Sequence, residues 1–169
     1  SGTTGRPKGV LWTHANLLSE IAFVRDEMGG LFNPDNSTLL FLPLAHVFGR
    51  GIGLAALSTG CVLGHVPDTK ALLEDLAAFQ PTFVLAVPRV FEKVYNGAQQ
   101  KAQAKGKLSG AIFARAERTA IAWSRADGAP GLGLKAQHAL YDKLVYGKLR
   151  AALGGRCTTA ISGGAALGE

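Results

Sequence analysis

Apolar positions along this chain follow two patterns that alternate, short unbroken runs and longer stretches with helical spacing. The unbroken runs are residues 10–12, 38–42, 61–65, 82–87 and 157–162. The 38–42 and 82–87 runs predict strands buried on both faces, and the other three read as further short strands of a parallel sheet. Between them, Leu17, Leu18, Ile21, Phe23 and Val24 predict a helix that Thr13 caps, that runs to about Met28, and that Gly29-Gly30 closes. The Gly/Ala-rich residues 51–60 predict a closely packed helix. Asp68 caps a helix through Phe79, with Leu72, Leu73 and Leu76 on one face, and Pro81 ends it. Pro88 suits the first turn of the next helix, which extends to about Ala104 with Val90, Phe91, Val94 and Tyr95 turned inward. Lys105-Gly106-Lys107 breaks that pattern, and two more helical stretches follow, 108–125 and 134–153. Strands alternating with helices give an α/β fold, a mainly parallel sheet flanked by helices.

Three stretches carry candidate chemistry. The first is Ser1-Gly2-Thr3-Thr4-Gly5-Arg6-Pro7-Lys8-Gly9. Its glycines let the backbone turn tightly and expose N–H groups that form an anion-holding nest. The hydroxyls of Ser1, Thr3 and Thr4 add donors, and Lys8 adds a positive charge suited to phosphate. The loop therefore reads as a polyphosphate cradle. It is not the G-x-x-x-x-G-K-S/T loop of the P-loop NTPases, because Pro7 replaces the second glycine and Gly9 follows the lysine. The second stretch is His46, just beyond the 38–42 run; its imidazole can donate to a carboxylate, respond to charge or simply pack. The third is Ser162-Gly163-Gly164-Ala165, where paired glycines after a strand either make a tight turn or admit a flat ligand. Ligands of such sheets collect beyond the carboxyl ends of the strands, where the last two stretches lie.

The opening loop resembles the phosphate loop of the adenylate-forming enzymes, the superfamily of acyl-CoA synthetases, luciferases and peptide-synthetase adenylation domains. Their pattern S/T-S-G-S/T-T-G-x-P-K-G is matched from Ser1 to Gly9, without its first residue or two. Pro43, Leu44, His46 and Gly49 match the P-L-x-H-x-x-G segment that lines the carboxylate end of the acyl pocket in acyl-CoA synthetases. The fuller string 42–50, the string Pro88-Arg89-Val90-Phe91-Glu92-Lys93-Val94-Tyr95 and the helical insertion after Tyr95 resemble the long-chain fatty-acid–CoA ligase branch.

The resemblance implies part of the large N-terminal, AMP-binding domain of such an enzyme. It places a phosphate loop at 1–9, an acyl and carboxylate segment at 43–50, a helical insertion at 88–153 and an adenine and acyl-pocket turn at 157–167. It implies ATP and coenzyme A as co-substrates, Mg2+, and a long-chain fatty acid as the acid activated. By the same resemblance, Ser1, Gly2, Thr3, Thr4, Gly5 and Lys8 hold phosphates, and His46 and Lys8 act on the reaction. Gly163, Gly164 and Ala165 border adenine and the acyl chain. The Y-G-x-T-E motif and the mobile C-terminal domain of the family are not in this sequence, so the chain by itself is expected to have little ligase activity.

Composition narrows the alternatives. With 18 basic and 12 acidic residues the chain carries a net charge of +6, which suits anionic small molecules, an anionic membrane surface or nucleic acid. None of the nucleic-acid-reading motifs is present, so no nucleic-acid partner is expected. No metal-binding Cys/His spacing appears, and no protein metal site is expected. Cys61 and Cys157 lie in apolar runs and read as buried free thiols, which fits a reducing, cytoplasmic compartment. Lys101, Lys105, Lys107, Arg115, Arg118 and Arg125 read as a solvated basic face or as a contact for acidic lipid or the phosphates of coenzyme A. Other readings kept open are an enzyme adenylating aromatic or amino acids, a phosphotransferase, and a non-enzymatic module binding anionic lipid. Oligomeric state is not legible.

Overall fold

The computed structural model describes residues 9–166. Thr13 caps the first helix, α1 (His14–Glu27). Its hydroxyl accepts from the Asn16 backbone N–H at 3.2 Å, and the Asn16 side chain accepts from the Thr13 N–H at 3.1 Å. This reciprocal cap fixes the start that the sequence predicts. The order continues β1 (Ser37–Leu40), α2 (Val47–Thr59), β2 (Val62–His65), α3 (Leu72–Phe79), β3 (Phe83–Ala86) and α4 (Pro88–Ala104). Then come α5 (Lys107–Arg125), α6 (Leu132–Tyr141), a π turn (Asp142–Tyr146), α7 (Gly147–Ala152) and β4 (Thr159–Ser162).

Both strand pairs are parallel. β1 pairs β2 with Ser37 opposite Val62, and β3 pairs β4 with Phe83 opposite Thr159. The pairs join at their amino ends, where the Thr82 N–H donates to the Ser37 carbonyl at 2.9 Å and the Ser37 N–H donates to the Thr82 hydroxyl at 2.9 Å. The spatial order is therefore β2-β1-β3-β4. Successive residues point to opposite faces of a strand, and the core divides accordingly. Leu40, Phe83 and Leu85 pack with Phe32, Ile52, Ala55 and Ala56 on the side of α1 and α2. Leu39, Phe41, Val84 and Ala86 pack with Leu72 and Leu76 of α3 on the other side. A third, smaller cluster of Phe113, Ala116 and Val145 holds the insertion together.

Several expectations are corrected. Residues 10–12 form no strand, and Leu11 is 97% exposed, since no described strand lies beside them to take up their backbone groups. Asp68 caps a 3-10 turn, Thr69–Ala71, by accepting from the Lys70 N–H at 2.9 Å, and α3 begins only after it. Leu73 faces away from buried Leu72 and Leu76. Helix α2 begins four residues before the predicted 51, directly after His46. The last predicted helix divides at the π turn, where Val145 is buried and the Tyr146 hydroxyl donates to the Ala116 carbonyl at 2.6 Å. Across that turn Arg150 grips Asp142 through two bonds of 2.7 and 2.9 Å, and the guanidinium holds the Asp142 carboxyl below its usual range.

Two predictions arise from the core. Thr38 is fully buried in β1, and its hydroxyl has no partner among the described residues. Removing an unpaired buried hydroxyl relieves a desolvation penalty of about 1 kcal/mol, so Thr38→Val should raise the urea midpoint; a lowered midpoint would mean that the hydroxyl is bonded. The second concerns alkaline pH. Burial raises the thiol pKa values of Cys61 and Cys157 and the phenol of Tyr146. The Glu117 carboxylate, which accepts from the Tyr95 hydroxyl at 2.6 Å, raises that of Tyr95. Groups raised in the folded state add stability that is complete below their unfolded values and is lost as pH rises through the folded ones. Stability should therefore fall above about pH 8.5, where unfolded thiols begin to ionise, and Cys61→Ala/Cys157→Ala should flatten the first part of that decline.

Candidate active site

β1 and β3 lie side by side, yet their connections leave in opposite directions, β1 to β2 on one flank and β3 to β4 on the other. Their shared carboxyl edge is thus a topological switch point, the place where ligands of open parallel sheets bind. Three chain segments reach that edge.

After β1 the chain turns through Pro43, and the His46 N–H donates to the Pro43 carbonyl at 3.0 Å. The Arg50 side chain donates to the Leu44 carbonyl at 3.2 Å and ties the turn to α2. Gly49 makes this possible. A Cβ there would lie 2.8 Å from the Pro43 oxygen and 3.0 Å from that of Leu42, both backbone atoms that cannot withdraw. His46 occupies the N-cap position of α2, exposed, with its ring making no capping bond. A side chain at the mouth of a sheet, with ring nitrogens that have no partner among the described residues, can donate a hydrogen bond to an incoming carboxylate.

After β4 the Gly163 N–H donates to the Ala86 carbonyl at 3.0 Å, continuing the β3–β4 ladder. Gly164 adopts φ +81°, a left-handed turn that favours glycine. A Cβ at Gly163 would meet the Phe48 ring at 3.2 Å, and one at Gly164 would meet Val87 at 3.6 Å. Phe48, two residues past His46, therefore seats the first segment against the third, and Val87, just past β3, completes the rim.

The structure thus brings the 43–50 and 163–165 segments to one edge. Ser1, Gly2, Thr3, Thr4, Gly5 and Lys8 lie outside the described residues. The contacts of Phe48, Val87 and Ser162 were not assigned from sequence. Phe48 was visible as the aromatic beside the histidine, but its partner lies more than a hundred positions away. The Ser162 hydroxyl is buried at the end of β4 without a partner among the described residues.

The family model for AMP-binding enzymes matches residues 1–169. This chain belongs to the AMP-binding enzyme family. Within that family it is 54% identical, over 99% of its length, to the long-chain-fatty-acid–CoA ligase FadD15 of Mycobacterium tuberculosis, of which it spans 28%. Long chain acyl-CoA synthetase 4 of Arabidopsis thaliana is 36% identical over 99% of the chain, which spans 25% of that protein. The chain thus spans about a quarter of the length of these curated relatives. Among solved structures, the adenylation domain of a carboxylate reductase from Mycobacterium chelonae matches with a TM-score of 0.51 at 26% identity, covering 77% of this chain and 17% of that one. The corresponding domain from Segniliparus rugosus matches with a TM-score of 0.53 at 24% identity, covering 89% and 21%. These likenesses agree with the α/β fold and its parallel strands.

Proposed function

We propose that the protein activates long-chain fatty acids with ATP and passes them to coenzyme A. The observation that carries this reading is the 54% identity to a long-chain-fatty-acid–CoA ligase along essentially the whole chain. In the first step a carboxylate oxygen bonds to the α-phosphorus of ATP, the bond to the bridging oxygen breaks, and pyrophosphate leaves. In the second, the coenzyme A thiol gives up its proton, its sulfur bonds to the acyl carbon, and AMP leaves.

The residues divide the work by chemistry. Ser1, Gly2, Thr3, Thr4, Gly5 and Lys8 hold the β- and γ-phosphates, where donors positioned for the developing charge act without reorganising. His46 places the carboxylate, and Gly163, Gly164 and Ala165, with no side chain larger than a methyl, form a flat border for adenine and the start of the acyl chain. Among the described residues no group of three or more His, Cys, Asp or Glu side chains is arranged to hold a metal ion. No role given to these residues runs through a metal held by their side chains.

Supplying the full-length protein with ATP and a series of carboxylic acids tests the reading. Release of AMP and pyrophosphate with long-chain acids is expected. ADP as product would point to phosphotransfer, and preference for aromatic or amino acids would point to another adenylating activity. Lys8→Ala should slow pyrophosphate–ATP exchange by about tenfold, the worth of one charge-assisted hydrogen bond, while leaving the melting temperature in place. Unchanged exchange would remove Lys8 from the site.

The basic helices favour a second property, contact with an anionic membrane surface. Arg115, Arg118 and Arg125 of α5 are all exposed, with exposed Ile121 between them. No helix among the described residues is long and apolar enough to cross a membrane. Salt-sensitive flotation with phosphatidylglycerol vesicles, lost when the three arginines are neutralised, is the expected result.

A further inference from the structure

The insertion contains a groove that the activation reaction above does not use. It has a volume of about 550 Å3, within the roughly 300–1,000 Å3 of small-molecule sites. Val94 and Ala98 of α4, Ile112 and Phe113 of α5, and Leu149 of α7 form its apolar wall. Lys93, Lys101, Lys105 and Lys148 line it as well, and among the described residues no carboxylate does. At 1.5 Å per residue, Lys101 and Lys105 sit about 20–25 Å along α4 from Pro88, well away from the strand ends.

Gly97 is the second observation. It lies inside α4 and lines the groove, and a Cβ built there would meet nothing within 4 Å. Glycine in a helix interior costs about 1 kcal/mol relative to alanine. No side chain among the described residues requires its small size. The space a side chain would fill is the groove itself, so glycine keeps the helix backbone open to an occupant.

We propose that this groove is a separate binding site for one single-chain lipid with a phosphate head. The alkyl chain lies along the wall of α4 and α5 and past Gly97. The head meets the lysines, whose several positive charges without a carboxylate among them suit a multiply charged anion. The concave shape holds one molecule, with the chain against the apolar wall and the head among the lysines.

Dodecyl phosphate below its micelle concentration is the probe, because it has no carboxylate and cannot be activated as an acid. By calorimetry on the full-length protein it should bind at least tenfold more tightly than butyl phosphate or dodecanol. Gly97→Phe, whose Cβ has open space around it and whose ring would occupy the groove, should weaken it tenfold or more at an unchanged melting temperature. Lys101→Glu/Lys105→Glu should do the same. In the unmodified protein, a photoreactive group at the alkyl end should label peptides within residues 88–153 or the α3 peptide that carries Leu73, which also lines the groove. Affinity within twofold in both variants, equal binding of butyl phosphate, labelling confined to other peptides, or binding to phosphatidylglycerol vesicles alone would each overturn the proposal.

Discussion

Gly154→Val is expected to lower the stability of the protein by about 4 kcal/mol, among the largest effects a single substitution has. Gly154 is buried in the turn between α7 and β4, with φ +96°. A side chain there is strained before it meets anything. It would then meet a great deal, since a Cβ would lie 2.5 Å from the Leu76 carbonyl oxygen and 2.8 Å from the Gln80 Cα. Both atoms belong to backbone at the end of α3, and Leu76 is itself fully buried. Relief would require the α7–β4 turn to lift from α3. That turn leads into the β4 strand, which pairs with β3 and carries Gly163 and Gly164 to the candidate site. The substitution should therefore lower both the urea midpoint and the activation rate. A midpoint near that of the unmodified protein would show that the turn can move away from α3 without loss.

The sequence carried most of the fold because each element has a local cause. Thr13, Pro88, Gly60 and Gly106 mark helix limits through capping and backbone conformation alone, and the structure places limits at or beside each of them. The buried runs became β1 and β3 because both of their faces are covered by helices. Residues 10–12 show where local reading fails. An apolar run becomes a strand only if another strand takes up its backbone hydrogen bonds, and that neighbour cannot be read from the run itself. The π turn was invisible for a related reason, since its widening goes with tertiary contacts of Val145 and Tyr146. Of the candidate site, His46 and Gly163–Ala165 could be named from residue type and position after a strand. Phe48 against Gly163 could not, because that contact joins segments that are adjacent only once β1, β3 and β4 lie in register.

That contact sets the second large effect. Gly163→Leu is expected to slow long-chain acid activation by about 10²-fold, the order of loss that a displacement near 1 Å produces in a reacting constellation, while lowering the melting temperature only slightly. The first atom of a new side chain would lie 3.2 Å from the Phe48 ring, closer than ordinary packing allows. Phe48 is half-buried and can turn aside, so the fold can absorb the change where Gly154 could not. The site cannot absorb it in the same way. Phe48 sits two residues from His46 at the start of α2, and moving it shifts the segment proposed to place the carboxylate. The leucine also occupies the flat border proposed for adenine and the acyl chain. Phe48→Ala in the same background removes the crowding and should recover part of the lost rate. If Gly163→Leu alone keeps the original rate, the 43–50 and 163–165 segments do not act together on the substrate. If Phe48→Ala restores nothing, the leucine acts through the ligand border and not through the contact with Phe48.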